Sequence, residues 1–115
     1  MARLTVRITS APYTGAAVTD ALDFAIAATN YGHGVTLLFE GLGIYAWQHS
    51  QSPAKGTKSI AKRLKSLPLF DIDLCYVCQQ SVTHYGVAVD NPQACLVSSQ
   101  QIIELLHQTD HVVTF

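Results

Sequence analysis

Apolar and polar residues alternate at the start of the chain. Leu4, Val6 and Ile8 are interleaved with Arg3, Thr5, Arg7 and Thr9. A period of two places the apolar set on one face of a strand. The run Ser10-Ala11-Pro12-Tyr13-Thr14-Gly15 breaks that pattern. From about Ala16 to Tyr31 the period lengthens: Ala21, Leu22, Ala25, Ile26, Ala28 and Thr29 recur at helical spacing. Gly32-His33-Gly34 ends that helix. Val35 to Phe39 is then a continuous apolar-rich run, as expected of a strand covered on both faces.

Gly41, Gly43 and Pro53 punctuate the stretch from Glu40 to Pro53, which reads as a loop with room for a helical turn. Thr57 to Leu67 is a basic amphipathic helix with Ile60, Leu64 and Leu67 on one face, closed by Pro68. A third strand falls within Ile72 to Val77, a short helix within Gln79 to Tyr85 ended by Gly86, and a fourth strand at Ala94 to Val97. Ser98-x-x-Gln101 is a capping box ahead of Ile102, Ile103, Leu105 and Leu106. Asp110 leads into a last strand, His111 to Phe115. Strands that alternate with helices need crossover connections. The expected fold is therefore three-layer α/β/α, with a mainly parallel five-stranded sheet and residues 1–115 forming one domain. In such sheets chemistry sits beyond the carboxyl ends of the strands. That singles out residues 10–15, 40–53 and 75–79.

Composition changes the picture in one respect. Charged residues are 13 % of the chain against a usual value of about 25 %. A surface so poor in charge is either covered by Gln, Ser and Thr or partly buried against partner chains, and the second reading makes an oligomer the expectation. The net charge of −1 gives no reason to expect a polyanion partner as a whole-chain property. Five of the seven basic residues nevertheless cluster: Lys55, Lys58, Lys62, Arg63 and Lys65 form either a solvated helix face or a docking patch. No apolar run is long enough to span a membrane, and no export signal is seen, so a cytoplasmic setting is expected. There, three cysteines read as reduced thiols.

The segment Cys75-Tyr76-Val77-Cys78-Gln79 carries the clearest chemical candidate. Cys78 falls where a strand ends and a helix begins. Free backbone N–H groups and the helix dipole favour a negative sulfur at that place. Such a sulfur could accept a sulfane sulfur and hold it as a persulfide. The alternative is an inert packed thiol, since free cysteine is among the most buried residue types. Cys75-x-x-Cys78 has dithiol spacing, but its first cysteine lies inside the strand rather than at the helix start, unlike thioredoxin-type sites. Cys95, in Ala94-Cys95-Leu96-Val97, reads as core. His33, His49, His84, His107 and His111 are scattered and read as surface or loop residues. Neither a metal site nor a cofactor is expected, and Ser10 to Gly15 lacks the glycine spacing of a nucleotide loop.

Taken together, these motifs resemble the DsrE/DsrF/DsrH group of bacterial sulfur-relay proteins, most like its DsrF/TusC type of subunit. The resemblance rests on Ser10-Ala11-Pro12-Tyr13, Gly32-His33, Glu40-Gly41-x-Gly43-Ile44-Tyr45, Tyr76-Val77-Cys78-Gln79-Gln80-Ser81 with Gly86-Val87 beyond it, and the terminal Asp110-x-Val112-Val113-x-Phe115. It implies a heterohexamer built with related DsrE/TusD-like and DsrH/TusB-like subunits. That complex would take sulfur as a persulfide from a small donor protein. The sulfur would pass towards 2-thiouridine at the tRNA wobble position or into intracellular sulfur oxidation. Cys78 matches the family's reactive cysteine. A non-catalytic structural subunit of the same complex is the alternative role, and a small dithiol oxidoreductase using Cys75 and Cys78 is a further one.

Overall fold

The computed structural model describes residues 2–48 and 59–115. Five strands form one sheet: β1 (Arg3–Ile8), β2 (Gly34–Phe39), β3 (Cys75–Cys78), β4 (Ala94–Val97) and β5 (His111–Thr114). Four α-helices connect them: α1 (Ala17–Asn30), α2 (Ile60–Ser66), α3 (Gln79–Tyr85) and α4 (Ser99–His107). The sheet order is β4-β3-β2-β1-β5. Every pairing is parallel, so the expected mainly parallel sheet is parallel throughout.

This order decides where the helices go. From β1 to β4 the chain steps across the sheet in one direction. Right-handed crossovers then lay α1, α2 and α3 on one face. The return from β4 to β5 runs the opposite way, so α4 lies on the other face alone. The two cores reflect that imbalance. On the first face Val6, Ile8, Leu37, Phe39, Cys75 and Val77 of the strands are buried against α1, α2 and neighbouring segments. Among the described residues, the buried cluster on the second face is Leu38, Cys78, Val97 and Ile102. Strand alternation assigns these sets: Phe39 and Val77 pair across the sheet on one face, Leu38 and Tyr76 on the other.

The stretch after β2 carries the helical turn expected within its loop, extended over seven residues. Residues Gly41–Trp47 form a 3-10 helix. Residues three apart eclipse in such a helix, which brings Ile44 and Trp47 to one side. Both are buried, with the Trp47 ring edge-on to Phe39 at 5.5 Å between centroids. The basic helix is also shorter than its pattern predicts. It begins at Ile60, with the Ser59 hydroxyl accepting the Lys62 N–H, and a 3-10 turn at Leu67–Phe70 follows. The expected first turn at 57–58, together with Lys55 and His49, lies outside the described residues. The capping box of α4 forms in full: Ser98 Oγ accepts the Gln101 N–H, and Gln101 Oε1 accepts the Ser98 N–H.

Candidate functional site

Cys78 is the last residue of β3 and the N-cap of α3. Its backbone is extended, with φ −67° and ψ 114°, so the chain turns into the helix immediately after it. Val97 of β4 is its register partner, and its side chain packs with Leu38 and Ile102 on the α4 face. Its sulfur makes no capping hydrogen bond to the helix, although that contact is the one the sequence pattern suggests. Cys78 is buried, at 6 % exposed.

Polar groups gather at this end of the sheet. Glu40 follows Phe39 directly at the carboxyl end of β2. It receives a two-pronged ion pair from Arg7 on β1, with Nε to Oε1 at 2.6 Å and Nη2 to Oε2 at 2.9 Å. The hydrogen bond from Arg7 to Glu40 holds the guanidinium above its ordinary pKa, against the opposing effect of partial burial. The neighbouring Gly41 N–H donates to Ser81 Oγ at 3.0 Å, tying the end of β2 to α3. Nothing in the sequence pattern pairs Arg7 with Glu40. Arg7 reads as a polar strand position and Glu40 as the start of a loop, and only the β1–β2 register brings them together.

The other candidates separate. Cys75 faces the opposite side of the sheet from Cys78 and is fully buried. An odd sequence separation along a strand requires this, and it sets the two thiols apart as a dithiol pair. All three cysteines are free. Cys95 is half-buried on the edge strand β4, where it packs against the smaller buried cluster without being enclosed in it. An edge strand lacks a neighbour on one side, which leaves that thiol partly open. His33 accepts the Ala2 N–H through Nδ1, His84 packs edge-on to Tyr85, and His107 and His111 are exposed. Among the described residues no three metal-binding side chains converge. Of the basic cluster, Arg63 is committed to Asp23 at 2.6 Å. In the 10–15 loop, Tyr13 adopts a left-handed conformation at φ 65°, and its hydroxyl accepts the Ile60 N–H.

Burial alone pushes the Cys75 thiol up from 9.0 to about 12. The unfolded chain releases this proton at lower pH than the folded chain does. The stability tied to Cys75 is therefore complete below pH 9.0 and is lost as pH rises towards about 12. Urea unfolding of the wild type is expected to weaken by up to about 1.4 kcal/mol per pH unit through that window. Cys75→Ala should flatten the slope. Equal slopes for the two proteins would show that this thiol does not govern alkaline unfolding.

Comparisons with known proteins follow the same fold and length. The family described as "DsrE/DsrF-like family" matches residues 2–115. A protein named "Protein TusC homolog" from Vibrio parahaemolyticus is 33 % identical over 120 residues, covering 100 % of both chains. A protein of the same name from Pseudomonas aeruginosa is 29 % identical, covering 90 % of this chain and 89 % of its own. "Protein TusC" of Klebsiella pneumoniae is 28 % identical over the whole of both chains. Among solved structures, the ychN protein from E. coli superposes with a TM-score of 0.85 at 18 % identity, over the full length of each. That last likeness concerns the fold. Among the described residues no helix is long and apolar enough to cross a membrane.

Proposed function

The chain belongs to the DsrE/DsrF-like family, and from that premise we propose that it is one subunit of a heteromeric sulfur-relay complex serving tRNA thiolation. The observation that carries this reading is the match to proteins named TusC over 100 % of this chain and of theirs. Its partners are related DsrE/TusD-like and DsrH/TusB-like subunits in a heterohexamer, together with a small sulfur-donor protein, all in the cytoplasm. Cys78 is its candidate persulfide carrier. The chemistry needs no oxidant. The Cys78 thiolate attacks the outer sulfur of a donor persulfide, R–S–SH. The donor's S–S bond breaks, its electron pair leaves on the donor thiolate, and Cys78–S–SH remains. The sulfur then moves on by the same exchange to the thiol of a downstream acceptor protein, on the route towards 2-thiouridine at the tRNA wobble position.

A second reading is favoured by one observation. Cys78 is nearly closed to solvent, which suits a subunit whose work is assembly, the sulfur being carried on a sister chain. Both readings place the chain in the complex, so one experiment tests that shared core. Deleting the chain from its host is expected to remove wobble 2-thiouridine, and re-supplying it to restore the modification. The tagged chain should also co-purify with two related subunits. Unchanged thiouridine after deletion would sink the proposal; unchanged thiouridine with impaired sulfur oxidation would move the same complex to that pathway.

A further inference from the structure

The sulfur exchange written above leaves one thiol unused. Cys95 on β4 has Tyr76 of β3 as its register partner, while Cys78 has Val97. Tyr76, Cys78, Cys95 and Val97 are therefore the corners of one square on the α4 face of the sheet, with the two thiols on a diagonal. Cys78 and Val97 are buried in the smaller cluster, and Tyr76 and Cys95 pack against it. Cys75 lies on the opposite face and takes no part. The two thiols of the square differ in access. Cys78 is buried, whereas Cys95 is half-buried on a strand at the edge of the sheet. Their spacing selects the chemistry. Strands about 4.8 Å apart, with a rise of about 3.3 Å per residue, put diagonal Cα atoms about 8 Å apart. Beyond about 7 Å two cysteines form no disulfide without backbone movement. A persulfide, however, lengthens one side chain by a further S–S bond of about 2 Å. Its outer sulfur comes within reach of the second thiol although the two Sγ atoms cannot bond.

We propose that Cys95 is the port through which sulfur reaches Cys78. The proposal rests on the reading of Cys78 as a carrier and adds how a buried carrier is loaded. A donor persulfide first gives its outer sulfur to the Cys95 thiolate. The Cys78 thiolate then attacks the outer sulfur of Cys95–S–SH. A bond forms from that sulfur to Cys78 Sγ, its bond to Cys95 Sγ breaks, and the electron pair leaves on the Cys95 thiolate. The outer sulfur keeps its hydrogen, so neither oxidant nor reductant is consumed. Cys95 is again free to accept, and Cys78–S–SH is held among apolar side chains, shielded by its burial. Attack on the inner sulfur would instead expel sulfide and join the two cysteines, which the spacing of the square forbids.

The test follows the sulfur from one thiol to the other. The full chain is treated briefly with glutathione persulfide, quenched with an alkylating agent at successive times, and mapped by peptide mass spectrometry. Sulfane sulfur is expected on Cys95 first and on Cys78 afterwards, with no Cys78–Cys95 disulfide. Cys95→Ser should slow the loading of Cys78 at least about tenfold, and Cys95→Ala should do the same. Cys78→Ser should leave the sulfur stranded on Cys95. The order of labelling in the wild type needs no variant, so the test stands even where a substitution disturbs the edge strand. Cys78 loaded before Cys95, or at the wild-type rate without Cys95, would overturn the port and leave the carrier reading in place. A Cys78–Cys95 disulfide would overturn the spacing on which the port depends. Sulfur that never leaves Cys95 in the wild type would remove the carrier role from Cys78, and the transfer between the two thiols with it.

Discussion

Gly43→Ala is expected to cost about 3 kcal/mol or more, enough to leave the chain largely unfolded in mild urea. A Cβ at this position would lie 2.0 Å from the carbonyl oxygen of Ile8 and 2.8 Å from its carbonyl carbon. Both are backbone atoms, which cannot swing aside as a side chain could. The same oxygen accepts the Glu40 N–H at 3.0 Å, and Ile8 is fully buried in the central part of the sheet. Relief would require the 3-10 segment Gly41–Trp47 to lift from β1. That movement would withdraw Ile44 and Trp47 from the core and pull Glu40 from Arg7. A useful contrast is Gly86, the left-handed cap of α3 at φ 66°, where a Cβ would meet nothing within 4 Å. There alanine should cost only about 1 kcal/mol of backbone strain. Urea titrations of the two variants separate steric exclusion from conformational strain. A Gly43→Ala midpoint equal to that of the wild type would refute the close approach.

That glycine also shows where sequence reading stops. Features that follow a local period are legible in the sequence: the strand alternation of β1, the apolar run of β2, the Ser98–Gln101 capping box, and Cys78 at the turn from β3 into α3. Each depends on neighbours within a few positions. The sheet's parallel character followed from the alternation of elements, because short loops cannot join parallel strands. Features that depend on register were not legible. Arg7 and Glu40 are 33 residues apart and meet only because Ile8 pairs with Phe39. The length of the 3-10 helix was hidden by the two glycines that make it possible, since glycine in sequence reads as a break. Cys95 sits in an apolar tetrapeptide, but burial there depends on β4 being an edge strand. The period-2 rule did contain one overlooked result. Three positions apart on a strand means opposite faces, so the dithiol reading of Cys75 and Cys78 was already weakened by the sequence.

Cys78→Ser is expected to leave the fold and the assembly with sister subunits intact while lowering sulfur transfer by more than about a hundredfold. Serine nearly matches the shape of cysteine, so Leu38, Val97 and Ile102 need move little around it. The hydroxyl in that apolar cluster should cost on the order of 1 kcal/mol. What serine loses is the chemistry. Its oxygen is a poor nucleophile towards sulfur and forms no persulfide, so the step that breaks the donor's S–S bond has no acceptor. The measurement has two parts, persulfide labelling at position 78 in the reconstituted complex and wobble 2-thiouridine in tRNA. Loss of both with normal assembly supports a carrier. Full thiouridine with normal assembly would transfer the carrier role to a sister chain and leave this one as a structural subunit. Cys78→Ala guards against an effect of the hydroxyl, and loss confined to Cys78→Ser would point to packing rather than chemistry. Cys75→Ala separates the thiols further. With Cys75 buried on the far face of the sheet, its removal should leave transfer unchanged, whereas a dithiol oxidoreductase would need both.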